Sequence, residues 1–173
     1  MADVIGLDHV GIAVADLDDA IETFSALLGQ DAEVYRLDPG QEYDEDGNVV
    51  DEWRLAYLDT GNDVLLELIQ PIAEDGAVAR FIERRGEGLH HISFWVDPKS
   101  EFATFFETLS DLGFATVGDS PWRSAPESGH DNRYTYVHPD SAHGTLVEFI
   151  TPYDIADGEM MSLEHARDSS LAR

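Results

Sequence analysis

Apolar and polar residues follow one another along the chain in an order that occurs twice. In the first copy, residues 7–14 alternate weakly and are rich in β-branched side chains, which predicts a strand. Asp16 can cap the helix that follows, and Gly29 can end it. The predicted apolar face of this helix consists of Ala20, Ile21, Phe24, Leu27 and Leu28.

The second copy repeats the order in residues 90–113. A strand is predicted over residues 90–96, and a helix with another apolar face ends at Gly113. Further strands are predicted over residues 32–36, 53–58, 64–70, 114–117, 133–137 and 145–149. Each half therefore reads β-α-β-β-β.

The pattern divides the chain into four parts. Residues 1–72 form a first module, residues 73–88 a linking helix, residues 89–152 a second module and residues 153–173 a C-terminal tail. Residues 61–63 predict a hairpin turn, and the acidic residues 38–51 predict an exposed excursion. The tail has helical potential but no clear apolar face, so we expect surface packing or partial disorder.

Composition excludes several classes of protein. With 36 acidic and 10 basic residues the net charge is −26, which argues against a nucleic-acid partner. No apolar run approaches the roughly 18 residues that span a membrane, and the N-terminus lacks a signal-peptide pattern, so we expect no membrane partner and a cytoplasmic location. The scattered acids and the single lysine, Lys99, resemble proteins of salt-accumulating halophiles.

Four residues occupy matched positions in the two halves. His9 and His91 are 82 positions apart, and Glu67 and Glu148 are 81 apart. One ligand from each of four strands can converge inside a curved sheet, and a buried carboxylate among apolar residues requires a compensating charge. We therefore predict that His9, Glu67, His91 and Glu148 bind one divalent ion, with Co, Ni, Mn, Zn and Fe all suited to these ligands.

The other histidines are assigned no ligand role. Neighbouring strand residues face opposite ways, so only one of His90 and His91 should enter the site, and the repeat selects His91. We expect His90 to hydrogen-bond elsewhere. The remaining histidines are predicted in loops or the tail, namely His130, His138, His143 and His165.

At this point the chain resembles the vicinal-oxygen-chelate superfamily, which includes glyoxalase I, bleomycin-resistance proteins and extradiol dioxygenases. Its methylmalonyl-CoA epimerase branch is the most similar. The resemblance rests on residues 7–14, 67–71, 79–91, 138–139 and 144–148, and the run Phe-Ile-Glu-Arg-Arg-Gly-Glu-Gly-Leu-His-His at residues 81–91 is its most specific part.

The resemblance implies an α+β fold in which two paired βαβββ modules form an open, curved mixed sheet around the metal. It implies the same four ligands, an acyl-CoA as the small-molecule partner and a homodimer. The implied reaction inverts the carbon next to a thioester by removing and returning its proton. Glu148 is the first choice for one base, and Glu67 could act opposite it.

Two segments depart from the epimerase pattern. The branch carries a further glutamate on the strand before the Glu67 strand, whereas residues 53–57 contain no acid, which leaves Asp51 and Glu52 as substitutes. Residues 120–133 replace a short glycine-rich turn and could reshape the pocket. Two alternatives therefore stay open: a glyoxalase-I-like isomerase of thiol adducts, and a non-catalytic binding protein similar to bleomycin-resistance proteins.

Overall fold

Strands and short helices alternate through the described part of the chain. The computed structural model describes residues 2–29, 34–60, 64–124, 131–156 and 159–163. The strands are β1 (Asp3–Ala13), β2 (Val34–Tyr43), β3 (Val49–Asp59), β4 (Leu65–Pro71), β5 (Gly88–Asp97), β6 (Thr116–Ser124), β7 (Asn132–Val137), β8 (Leu146–Ile150), β9 (Tyr153–Ala156) and β10 (Glu159–Ser162). The helices are α1 (Leu17–Leu28), α2 (Ala77–Arg85) and α3 (Phe102–Asp111).

Eight of these strands form one curved mixed sheet in the order β1-β4-β3-β2-β6-β7-β8-β5. β1 pairs with β4 in parallel, β5 pairs with β8 in parallel, and β1 and β5 pair antiparallel. The predicted α+β class and curved mixed sheet are confirmed. The division into modules of residues 1–72 and 89–152 stays a prediction, although the order β-α-β-β-β occurs in each half.

The sheet closes, where the sequence predicts an open one. Two residue pairs between β2 and β6 complete the ring, Glu42 with Ser124 and Tyr43 with Arg123. Closure follows from strand length, because β2 and β6 both extend well beyond the residues predicted for them.

Two predicted irregular segments are largely ordered. Most of the excursion predicted over residues 38–51 belongs to paired strands, since β2 and β3 pair along it and a short turn at residues 44–48 joins them. Residues 45–50 at its tip are exposed, as predicted. The start of the predicted tail forms the two-stranded sheet β9–β10, in which Tyr153 is fully buried. Tyr153 packs against apolar residues of the main core. This burial was not predicted, because the residues that follow Tyr153 are mostly polar.

Alternate residues of the strands face two environments. On β3, Leu55 and Tyr57 point into the ring, whereas Ala56 and Leu58 lie under α1. On the opposite side, Val96 packs beneath α3 against Phe102. The helices α1 and α3 therefore cover the outside of the sheet, whereas Val78 of α2 packs with the residues that face into the ring. The rest of the inner face is left to form cavities and a site.

The hairpin turn predicted at residues 61–63 lies outside the described residues. Within the described ranges, no helix combines the length and apolar character needed to cross a membrane.

Candidate metal centre

The four residues singled out by the repeat lie together on the inner face of the sheet. His9 is on β1, Glu67 on β4, His91 on β5 and Glu148 on β8, and these strands are neighbours in the ring. The parallel pairings place Glu67 beside Gly11 and Glu148 beside Ser93, so Glu67 stands level with the Gly11–His91 pair and Glu148 with the His9–Ser93 pair. All four side chains are buried, with at most 5% of any residue exposed.

The ligand-type atoms surround a common point. His9 Nε2 lies 2.9 Å from His91 Nε2 and 3.2 Å from Glu148 Oε2. His91 Nε2 lies 3.6 Å from Glu148 Oε2 and 3.4 Å from Glu67 Oε2, which is 3.8 Å from His9 Nε2. Ligand atoms bound to one ion by bonds of ~2.1 Å are separated by roughly 3 to 4 Å, so these distances fit a shared ion.

The hydrogen bonding of the cluster is incomplete. Glu67 Oε2 and Glu148 Oε2 are buried, and neither receives a well-aligned hydrogen bond from the described residues. Buried carboxylate oxygens without partners are costly. His9, His91 and Glu148 each offer one ligand atom, all within 4.8 Å of one another, and could hold a divalent metal.

The protonation of the cluster shows the same need for positive charge. Burial lowers the pKa of His9, but the charges of Glu67 and Asp8 outweigh burial and hold it well above its usual value. Burial lowers the pKa of His91 to about 3. Burial also raises the pKa of Glu67, whereas for Glu148 the contact with His9 and the charges of both histidines outweigh burial and lower the pKa to about 2. The two carboxylates therefore favour a positive charge within the cluster.

The strand pairing shifts register next to each histidine. Leu7 pairs with Phe94 but His9 with Ser93, so Asp8 is an extra residue in β1. Gly11 pairs with His91 but Ile12 with Leu89, so His90 is an extra residue in β5. Such bulges re-aim the side chains beside them. Asp8 and His90 occupy matched positions of the two copies.

Because of these bulges, the expected orientation of His90 is wrong. Its Nδ1 lies 3.0 Å from His91 Nδ1, so His90 contacts the predicted ligand rather than a distant group. Asp8 does the same for His9, with Oδ2 lying 2.9 Å from His9 Nδ1. The rule that neighbouring strand residues face opposite ways holds only where the strand is regular.

Two tyrosines hold the carboxylates of the site and were not predicted. The Tyr57 hydroxyl donates to Glu67 Oε1 over 2.7 Å, and the Tyr153 hydroxyl donates to Asp8 Oδ2 over 2.9 Å. Tyr57 was recognisable only as a strand residue, and Tyr153 belongs to the segment predicted as a tail. No signal in the sequence marks either as part of the site.

Cavities lie on both sides of the cluster. A cavity of about 220 Å³ is lined by His9, Glu67 and Glu148, and a larger one of about 800 Å³ is lined by His90 and His91. Trp53 and Tyr136 line both cavities and so form the wall between them. The smaller cavity therefore reaches three of the four predicted ligands, and the larger one reaches His91.

Glu42 is a further titratable group of the larger cavity that the sequence did not indicate. It is half-buried and pairs across the sheet with Asp51. Burial and the nearby charges of Asp51 and Glu148 raise the pKa of Glu42 to about 8. Glu42 belongs to the segment that was expected to be an exposed excursion, which is why it was missed.

The substitutes considered for a missing base have other partners. Asp51 is buried, and its Oδ2 accepts a hydrogen bond of 2.8 Å from the backbone of Ala77, which stabilises the start of α2. Glu52 accepts a 2.8 Å hydrogen bond from the Gln41 amide. Both are therefore engaged in structural contacts.

The remaining histidines lie away from the cluster where they are described. His138 precedes a short 3-10 turn and accepts a hydrogen bond from the Asp140 backbone, and His143 has a positive φ in the following loop. His130 and His165 lie outside the described residues.

Comparison with known proteins gives relatives along most of the chain. The chain is 33% identical to the uncharacterized protein YqjC of Bacillus subtilis, over 84% of this chain and 91% of that protein. It is 30% identical to the ethylmalonyl-CoA/methylmalonyl-CoA epimerase of Cereibacter sphaeroides, over 82% of this chain and 94% of that protein.

A solved structure shows the same fold. A variant of Streptomyces coelicolor methylmalonyl-CoA epimerase in complex with 2-nitronate-propionyl-CoA superimposes with a TM-score of 0.65 at 30% identity, over 86% of this chain and 98% of that one. The sequence profile of the glyoxalase/bleomycin resistance protein/dioxygenase superfamily matches residues 8–136. The chain therefore belongs to the glyoxalase/bleomycin resistance protein/dioxygenase superfamily.

Proposed function

We propose that the protein is a metal-dependent epimerase of a 2-substituted acyl-CoA, with methylmalonyl-CoA as the first substrate to test. The observation that carries the proposal is the pair of buried, unsatisfied carboxylate oxygens of Glu67 and Glu148 facing the two histidines. Relatives at about 30% identity that are methylmalonyl-CoA epimerases support this choice of substrate class.

The ligand set of the proposal is His9, Glu67, His91 and Glu148. A divalent ion held by these residues would polarise the thioester carbonyl and stabilise the negative charge that develops on its oxygen. The contact of Asp8 with His9 Nδ1 and that of His90 with His91 Nδ1 orient the two imidazoles with Nε2 toward the centre.

Inversion requires one group that takes the α-proton and another that returns a proton on the opposite face of the carbon. In the proposal Glu148 takes the proton: the C–H bond breaks, and its electron pair moves toward the carbonyl. Glu67 acts on the other side. Tyr57 occupies Glu67 Oε1, which leaves Oε2 directed to the cluster.

Glu42 competes with Glu67 for the second role. It lines the larger cavity together with His91. With a pKa of about 8, Glu42 carries a proton at neutral pH and could return it to the substrate. A protonated donor is what the second half of the reaction needs.

Exchange of the substrate α-proton with solvent tests the proposal. Metal-loaded protein should convert one epimer of methylmalonyl-CoA into the other, and Glu148→Gln should lose at least ~100-fold of the rate, the scale of a general base. Comparing Glu67→Gln with Glu42→Gln identifies the second group by the larger loss. Glu52→Gln is the matched control and should keep the wild-type rate.

Other outcomes would assign the site differently. Turnover of a methylglyoxal–thiol adduct without turnover of methylmalonyl-CoA would indicate a glyoxalase-I-like isomerase. Protein that binds no metal and turns over neither compound would indicate a binding protein. An unchanged rate in Glu148→Gln would remove the two-glutamate mechanism.

A further inference from the structure

We propose that Arg80, Arg84 and Arg85 of α2 bind the phosphate groups of the nucleotide end of CoA. The proposal rests on the proposed function, because it concerns the substrate of the same site. The juxtaposition that carries it is a single cavity of about 800 Å³ that is lined at once by His91 and by these three arginines. A cavity of this volume suits a small-molecule ligand.

The cavity has a deep end and an exposed end. His91 is buried, whereas Arg80, Arg84 and Arg85 are exposed to solvent. Apolar side chains line the same cavity, including Phe81, Leu89, Trp122 and Leu146. An acyl thioester at the deep end would therefore place its pantetheine arm along apolar groups and its phosphates near the arginines.

The net charge of the chain opposes binding of CoA, and a local group of arginines would offset that repulsion. A protein of net charge −26 repels a ligand that carries several phosphates. Of its 10 basic residues, three lie within residues 80–85, which makes α2 locally rich in positive charge. Guanidinium groups bind phosphate in a bidentate manner, which adds geometric specificity to the attraction.

Within the described part of the chain, these arginines form no ion pair with a carboxylate. Other arginines do form ion pairs there, for example Arg36 with Asp18 and Arg123 with Asp131. By contrast, Arg80 donates to the backbone oxygen of Asp75, and the Arg85 guanidinium lies 5.9 Å from the centre of the Phe81 ring. Neither contact neutralises the charge.

A structural role for Arg84 and Arg85 is the competing explanation. Both lie in the last turn of α2, where positive charge stabilises a helix. That role predicts an effect on the melting temperature and none on discrimination between ligands. The two explanations are therefore separable by measuring binding of ligands with and without phosphates.

The test is calorimetric titration of the metal-loaded protein with CoA and with pantetheine, which lacks the nucleotide. Wild-type protein should bind CoA at least ~10-fold more tightly than pantetheine, the scale of one hydrogen-bonded charge contact. The double variant Arg84→Gln/Arg85→Gln should lose most of that difference and keep its affinity for pantetheine. Arg36→Gln, a surface arginine away from this cavity, is the control and should behave as wild type.

Equal affinity of the wild type for CoA and pantetheine would overturn the proposal, and so would unchanged CoA binding by the double variant. Because the probe is CoA itself, this result does not depend on turnover. The wild type could prefer CoA to pantetheine and the double variant lose that preference while the protein shows no epimerase activity. That result would support the phosphate subsite and contradict the proposed function.

Discussion

Among single residues, each predicted ligand histidine is contacted by the residue that precedes it in the chain. The two contacting residues differ in type, since one is an aspartate and the other a histidine. Asp8 contacts His9, and His90 contacts His91, each at Nδ1. Despite burial, the charges of Glu67 and Asp8 hold the pKa of His9 well above its usual value, whereas burial lowers the pKa of His91 to about 3. The repeat is therefore symmetric in ligand positions and asymmetric in electrostatics.

Replacing the histidines should separate a ligand from its supporting residue. His91→Ala should abolish stoichiometric metal binding, because one of four ligands is lost. His90→Ala should weaken binding by about 10- to 100-fold, the usual effect of a residue that orients a ligand. His138→Ala is the control. Metal titration of the three variants checks this, and wild-type affinity in His90→Ala would contradict the orienting role.

Glu42 should give the folded protein a distinct dependence on pH. Because its pKa is raised to about 8, the folded state holds this proton more tightly than the unfolded chain does. The contribution of this proton to the stability of the folded protein is complete below the pKa of Glu42 in the unfolded chain. It is lost as the pH rises through about 8. The side chain in Glu42→Gln stays neutral at every pH. The melting temperature of the variant minus that of the wild type should therefore increase between about pH 5 and pH 9. A constant difference across that range would show that Glu42 is not perturbed.

The site residues at matched positions of the repeat could be predicted from the sequence. The site residues that depend on β-bulges or on closure of the sheet could not. His9, Glu67, His91 and Glu148 follow from spacing alone, and the structure places all four together, although their role as ligands stays a prediction. Asp8 and His90 reach the histidines only because the strands carry an extra residue. Bulges leave no reliable mark in an alternating pattern.

At the scale of elements, the site depends on how closely β1 and β5 approach. Gly11 pairs with His91, and a Cβ atom added at Gly11 would lie 2.2 Å from His91 Cε1. The absence of a side chain at this position therefore makes room for the imidazole. Ser93 takes the matched place in the second copy, opposite His9.

Gly11→Ala should displace His91 and weaken metal binding by at least ~10-fold, with a cost of about 1–3 kcal/mol in the free energy of unfolding. Gly6→Ala on the same strand is the matched control, because no atom lies within 4 Å of its added Cβ. Denaturant unfolding and metal titration of both variants measure the two effects. Equal behaviour of the two variants would show that the close approach does not matter.

The strands β2 and β3 show why part of the fold was hidden. Their inner residues near Glu42 and Asp51 face a cavity instead of an apolar core, so they are polar where a buried strand would be hydrophobic. The alternation that predicts strands is lost under those conditions. By contrast, β1, β4 and β5 keep mostly apolar residues around their site residues, and these strands were predicted close to their observed positions.

At the scale of the whole molecule, the charge of −26 should control stability. Repulsion among carboxylates is screened to within ~3 Å in molar salt. We therefore expect the melting temperature to rise steadily from dilute buffer to molar KCl. A melting temperature that does not change over this range would contradict the halophile hypothesis and leave the acidic composition without a role in stability.

We predict that the buried cluster holds a divalent ion and that epimerisation depends on this ion. The most direct measurement is deuterium incorporation at the α-carbon of methylmalonyl-CoA in D₂O. The assay compares purified protein, chelated protein and chelated protein resupplied with Co, Ni, Mn or Zn in molar KCl. We predict rapid incorporation with about one bound ion per chain, loss on chelation and recovery with at least one metal, but no recovery in His91→Ala. Incorporation that persists at full rate in metal-free protein, or that is absent from fully metal-loaded protein, would contradict a metal-dependent epimerase at this site.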